Sequence, residues 1–224
     1  MNINQETKIE KNNVMNKVLV SKMLAGQKVV PVVVIENESQ ALGLAKALLD
    51  GGINVIEITL RNNYGVKAIE VIKKNFPEMI VIAGTVNLPE QMIAVVEVGA
   101  DAIVSPGITE SLLKISKQLN IPYLPGVASA SDVLRAMEYG IRECKLFPAT
   151  VVGGIGALKA LGGPFPDVKF CPTGGVSVDN YQDFIALPNV MFVGGSWLAP
   201  SKLVAAEDWS AIIDLCKAVT QPSS

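Results

Sequence analysis

The run "ECKLFP", residues 143–148, has the composition of a buried strand except for Lys145, which Cys144, Leu146 and Phe147 surround and Pro148 follows. An amine in that setting has chemistry open to it. Burial is costly for an ammonium and favours the neutral amine, which attacks carbonyl carbon. Strand alternation puts Lys145 and Phe147 on one face and Cys144 and Leu146 on the other. The structural alternative is a lysine that snorkels to solvent, common on helices but harder from the inner face of a filled interior. Position alone favours function.

A second stretch, "NVIEITLR" (54–61), places Val55, Glu57, Thr59 and Arg61 on one face and Ile56, Ile58 and Leu60 on the other. A carboxylate and a guanidinium are therefore expected to enter the interior together. A buried Glu–Arg pair kept for structure fits this spacing as well as acid–base chemistry does. The sequence contains no histidine. Proton transfer near neutral pH must then use a carboxylate, lysine, tyrosine, cysteine or water.

Glycine clusters form the third group. "CPTGGVS" (171–177) and "VGGSW" (193–197) each follow a strand-like run. Glycine lets backbone N–H groups approach an anion closely, and such loops hold phosphate at helix N-termini. One Gly-Gly is any tight turn; two in successive loops carry more weight. "AGTV" (83–86) and "VSPG" (104–107) offer the hydroxyls of Thr85 and Ser105, which ordinary turn chemistry explains equally well. Cys144 and Cys171 read as core residues.

These groups need elements to position them. Eight β-rich runs begin near residues 29, 55, 80, 101, 122, 143, 168 and 190 and alternate with amphipathic helical segments. Several helical segments close on glycine just before the next strand, at Gly51–Gly52, Gly99 and Gly140. Eight βα units predict an α/β fold, a TIM (β/α)8 barrel with its chemistry at the C-terminal strand ends. A doubly wound open sheet is the alternative, but no GxGxxG turn follows the first strand. With no Pro/Ser-rich linker, residues 1–224 are expected to form a single barrel domain. Residues 1–13 read as a flexible leader and 14–26 as an N-terminal helix.

Half of the residues are hydrophobic and 18% are charged, which suggests a well-buried core and a subunit interface. The net charge of −2 and pI of about 5.3 give no basic field for nucleic acid or an anionic membrane. The leader lacks the apolar core of a signal peptide, and no run is long enough for a membrane helix. Three scattered cysteines without a CxxC form neither a disulfide framework nor a familiar zinc site. A cytoplasmic protein is expected.

Taken in order, "EITLR", "AGTV", "SPG", "KLFPA", "FCPTGG" and "VGGSWLAP" resemble the 2-keto-3-deoxy-6-phosphogluconate (KDPG) aldolase family, from about Val29 to Pro200. In many bacteria its members also cleave 4-hydroxy-2-oxoglutarate. The resemblance implies a cytoplasmic class I aldolase of Entner–Doudoroff carbohydrate metabolism, a homotrimer using no cofactor and no metal. It implies that Lys145 forms the Schiff base and Glu57 transfers protons. Arg61 and Thr85 match positions that hold the pyruvyl carboxylate, and Pro106 and Phe147 match apolar walls. Thr173 matches a position lining the site, while Gly174, Gly175, Gly195 and Ser196 match the phosphate end. Many members carry glutamate where this chain has Thr150, which puts the preference among aldehyde partners in question. Three other readings stay open: an aldolase for the phosphogalactonate epimer or mainly for hydroxyoxoglutarate, a non-catalytic phosphosugar-binding barrel, and an assembly scaffold.

Overall fold

The computed structural model describes residues 19–221. Helix α1 (Val20–Met23) leads into strand β1 (Val29–Val33). Helix α2 (Glu38–Asp50), β2 (Val55–Thr59), α3 (Gly65–Asn75), β3 (Ile80–Gly84), α4 (Pro89–Glu97), β4 (Ala102–Val104) and α5 (Glu110–Leu119) follow. Then come β5 (Tyr123–Leu124), β6 (Gly126–Val127), α6 (Ala130–Glu138), β7 (Glu143–Leu146) and α7 (Gly154–Gly162). The chain continues through β8 (Lys169–Pro172), α8 (Tyr181–Ile185), β9 (Val193–Gly195), α9 (Ser201–Ala205) and α10 (Trp209–Thr220). The expected leader (1–13) and the first part of the expected N-terminal helix (14–18) lie outside the described residues.

All strand pairings are parallel. One sheet runs β5–β4–β3–β2–β1–β9 and the other β6–β7–β8. Bridges from Phe170 to Val190 and from Thr173 to Gly194 join β8 to the segment carrying β9. The other seam lies between β5 and β6, two halves of one expected strand separated by Pro125. Proline has no N–H to give the ladder, so the strand breaks there. Its carbonyl still accepts from the Lys145 N–H at 2.9 Å. The curled sheet is thus a TIM barrel of eight strand positions, the fifth split in two.

The outward faces are apolar. Ile56, Ile58, Cys144 and Leu146 are all fully buried, as is Leu44 of α2. Gly52, Gly99 and Gly140 have positive φ where a helix must stop and turn into a strand. At the barrel end where β7 begins, the buried Glu143 accepts from the Ser21 backbone N–H at 3.3 Å and from the Ser21 hydroxyl. That contact ties α1 to β7. Among the described residues no helix is long and apolar enough to cross a membrane.

Candidate active site

Lys145 sits on β7, the sixth strand position, and Glu57 on β2, the second, so the two strands face each other across the barrel. Only side chains aimed at the axis can meet from such strands. Lys145 Nζ lies 3.0 Å from Glu57 Oε1 and 3.4 Å from Oε2. Their side chains are only 6% and 3% exposed. A buried pair of this kind holds position poorly unless its surroundings are built for it.

The surroundings are built. Gly84 of β3 is placed so that a Cβ there would fall on the Glu57 carboxylate, and only glycine leaves that room. Gly126 is paired directly with Lys145 in the ladder, and Cys171 flanks Lys145 from β8. The Phe147 ring centroid is 5.4 Å from Lys145 Nζ, within range of a cation–π contact. Thr59, two residues past Glu57 at the C-terminal end of β2, donates its hydroxyl to the Val33 carbonyl at 2.9 Å.

Thr85 caps β3 with φ 58°, a left-handed conformation that a β-branched residue adopts at a cost of about 1–3 kcal/mol. Such strain concentrates at functional turns. Pro106 is exposed just beyond β4, and Phe147 is half-buried just beyond β7. Thr173 is buried beyond β8; its hydroxyl lies 3.6 Å from Cys171 Sγ, and Gly194 packs on it without room for a Cβ. Gly174 and Gly175 have φ of 94° and 79°. Gly195 is buried and Ser196 exposed beyond it. Both glycine clusters precede short helices that begin only at Tyr181 and Ser201, so loop backbone rather than a helix N-terminus lies beside them. Thr150 donates its N–H to the Gly174 carbonyl at 3.1 Å and its hydroxyl at 3.3 Å, and its side chain occupies the space a Cβ on Gly175 would take.

Arg61 is placed differently from the period-two reading. It is exposed and lines a cleft of about 430 Å³ with Asn62, Glu90 and Gln91, outside the barrel. Alternation ends with β2 because Asn62 starts a turn: its side chain accepts from the N–H groups of Tyr64 and Gly65 and donates to the Ile35 carbonyl. Ser105 was legible as a hydroxyl but not as an internal one: it is fully buried and bonded to Tyr123 and Gly107. At Gly84, Gly126 and Gly194 the sequence signal is glycine inside a strand run, which marks close approach of a neighbouring group.

Burial pushes the Cys144 and Cys171 thiols up to about 12, so both are protonated core groups near neutral pH.

Comparison with known proteins places the chain in a family. The chain is 47% identical to the KHG/KDPG aldolase of Escherichia coli K12, covering 84% of this chain and 89% of that one. It is 44% identical to the 2-dehydro-3-deoxy-phosphogluconate aldolase of Dickeya dadantii, covering 90% and 94%. The crystal structure of the KDPG aldolase of Legionella pneumophila, with pyruvate captured as a covalent carbinolamine, superposes with a TM-score of 0.87 at 45% identity, covering 89% and 97%. The family model "KDPG and KHG aldolase" matches residues 20–215, and the chain belongs to that family.

Proposed function

We propose that this chain is a class I, Schiff-base aldolase. It cleaves 2-keto-3-deoxy-6-phosphogluconate to pyruvate and glyceraldehyde 3-phosphate, and 4-hydroxy-2-oxoglutarate to pyruvate and glyoxylate. The observation that carries the reading is the Lys145–Glu57 pair, met across the barrel at 3.0 Å with both side chains buried.

The ammonium of Lys145 gives a proton to Glu57, and the freed lone pair adds to C2 of the substrate. Glu57 gives its proton to the C2 oxygen and takes one from the nitrogen, completing the carbinolamine, then gives that proton to the hydroxyl, which leaves as water and yields an iminium. The iminium draws the C3–C4 bonding pair toward nitrogen as Glu57 accepts the C4 hydroxyl proton, releasing the aldehyde and an enamine. Protonation at C3 and hydrolysis release pyruvate and return the amine. One carboxylate serves each proton step, as a histidine-free chain requires.

Arg61 and Thr85 are assigned to the pyruvyl carboxylate. For Arg61 that role requires its side chain to turn from the outer cleft over the rim of the barrel. Pro106 and Phe147 wall the pyruvyl portion, Thr173 faces the reacting carbons, and Gly174, Gly175, Gly195 and Ser196 hold the phosphate. The proposed assembly is a homotrimer and the proposed compartment the cytoplasm, to which three free, buried thiols are suited. The test is reduction with borohydride in the presence of pyruvate, followed by peptide mapping. A reduced adduct at Lys145 is expected; an adduct elsewhere, or none, overturns the reading.

A further inference from the structure

Ser105 and Tyr123 form a buried pair that the proposed chemistry does not use. Ser105 is fully buried and Tyr123 is 3% exposed. The Ser105 hydroxyl donates to the Gly107 carbonyl at 2.6 Å. It has one proton, so the contact with Tyr123 Oη, also 2.6 Å, must be donated by the phenol. Burial pushes the Tyr123 phenol above its ordinary range, which keeps it a donor throughout the working pH range. The register puts Tyr123 on the helix-facing side of the sheet, so the chain Tyr123 O–H to Ser105 O–H to Gly107 C=O closes the turn around Pro106 from that side.

That turn is also held from its other side. Gly126 presses against the Pro106 carbonyl group so closely that a Cβ on Gly126 would overlap it. Gly126 is the residue paired with Lys145, and the neighbouring Pro125 carbonyl accepts the Lys145 N–H at 2.9 Å. The Pro106 peptide therefore lies one strand away from the nucleophile, clamped between Gly126 and the Tyr123–Ser105 chain.

We infer that Tyr123 and Ser105 are positioning residues for the pyruvyl pocket: together they fix the Pro106 turn at a set distance from Lys145. The inference rests on the aldolase reading above. Neither residue touches the reacting atoms, so their loss should weaken binding of the pyruvyl unit rather than remove a chemical step.

The experiment uses Tyr123→Phe, Ser105→Ala and the double variant. Steady-state kinetics on 2-keto-3-deoxy-6-phosphogluconate, the half-saturation of borohydride trapping by pyruvate, and melting temperature are measured for each. Tyr123→Phe should raise KM and the pyruvate half-saturation together by about threefold to tenfold, the scale of one hydrogen bond, with kcat within about twofold. Ser105→Ala should raise them at least as much and lower Tm, because it strands a buried phenol. In the double variant Tm should recover while KM stays at the Ser105→Ala value, since the phenol acts only through the serine. An unchanged KM in Tyr123→Phe, or KM effects that multiply in the double variant, overturns the inference. Should Ser105→Ala fail to fold, Tyr123→Phe decides alone. Mapping the adduct in the unsubstituted protein separates the two levels: a label absent from Lys145 defeats the aldolase-site reading, whereas a label at Lys145 with unaltered KM in the variants defeats only this one.

Discussion

Strand β7 carries two buried charged residues of the same face, Glu143 at its start and Lys145 two residues on, and the two ends of the barrel treat them differently. Glu143 meets the backbone N–H and hydroxyl of Ser21, donors that keep their protons in the working pH range. Lys145 meets Glu57, and between an amine and a carboxylate a proton can move. Both carboxylates are buried and both are satisfied, so neither burial nor hydrogen bonding separates structure from chemistry here. What separates them is whether the partner can change protonation state, and whether the residue sits at the strand end where a substrate enters.

Lys145→Ala removes the chemical member of the pair outright. It should abolish borohydride trapping of pyruvate and reduce aldol cleavage to background, while far-UV circular dichroism remains that of a folded barrel. Retained trapping would remove the chemical end of the comparison altogether. Next in size is Glu57→Gln, which keeps shape and reach but removes the base. A general acid–base group contributes about 10²–10⁴-fold, so kcat for cleavage should fall by that order. Trapping at Lys145 should persist more slowly, because loss of water from the carbinolamine also wants a proton donor. A folded Glu57→Gln with undiminished cleavage would make Glu57 a structural partner like Glu143.

How much of this was legible in the sequence follows the same division. The barrel and the inward faces of Lys145 and Glu57 were readable because period two over several residues fixes which side chains face inward, and both lie within regular strands. Arg61 lay one step past that regularity. The period carries it inward, but the Asn62 turn overrides alternation and leaves Arg61 exposed, lining a cleft with Asn62, Glu90 and Gln91. Pro125 marked a break that reading "PYLPGV" as one strand passed over. The Tyr123–Ser105 and Ser21–Glu143 bonds were invisible because they join residues 18 and 122 positions apart. No spacing rule reports such pairs; only the folded barrel brings them together.

At the structural end of β7 smaller changes are expected. Glu143→Gln and Ser21→Ala should each lower stability by about 1–3 kcal/mol in chemical denaturation, the scale of a hydrogen bond to a charged group or of a stranded buried polar atom. Each should leave kcat and KM within about twofold. A tenfold loss of kcat in either variant, with Tm unchanged, would show that the closed end of the barrel communicates with Lys145 and that the two ends are not independent.

The smallest effect concerns the thiols that lie beside both charged residues of β7. Cys144 separates Glu143 from Lys145 in the chain, and Cys171 is paired with Lys145 across the β7–β8 ladder. Burial pushes both thiols up to about 12, well above the ordinary thiol range. The sign is set by the charged form: desolvation penalises thiolate, so at pH 8 the native side chains are almost wholly S–H. Thiolate is the species that reacts with iodoacetamide, and neither sulfur is exposed to it. Treatment at pH 8 should therefore leave aldol cleavage unchanged and both cysteines unlabelled by mass spectrometry, while the protein unfolded in guanidinium chloride takes up label at both. Rapid labelling of native Cys171 with loss of activity would place a reactive thiolate beside Lys145, and the proton traffic now assigned to Glu57 alone would have to be shared with it.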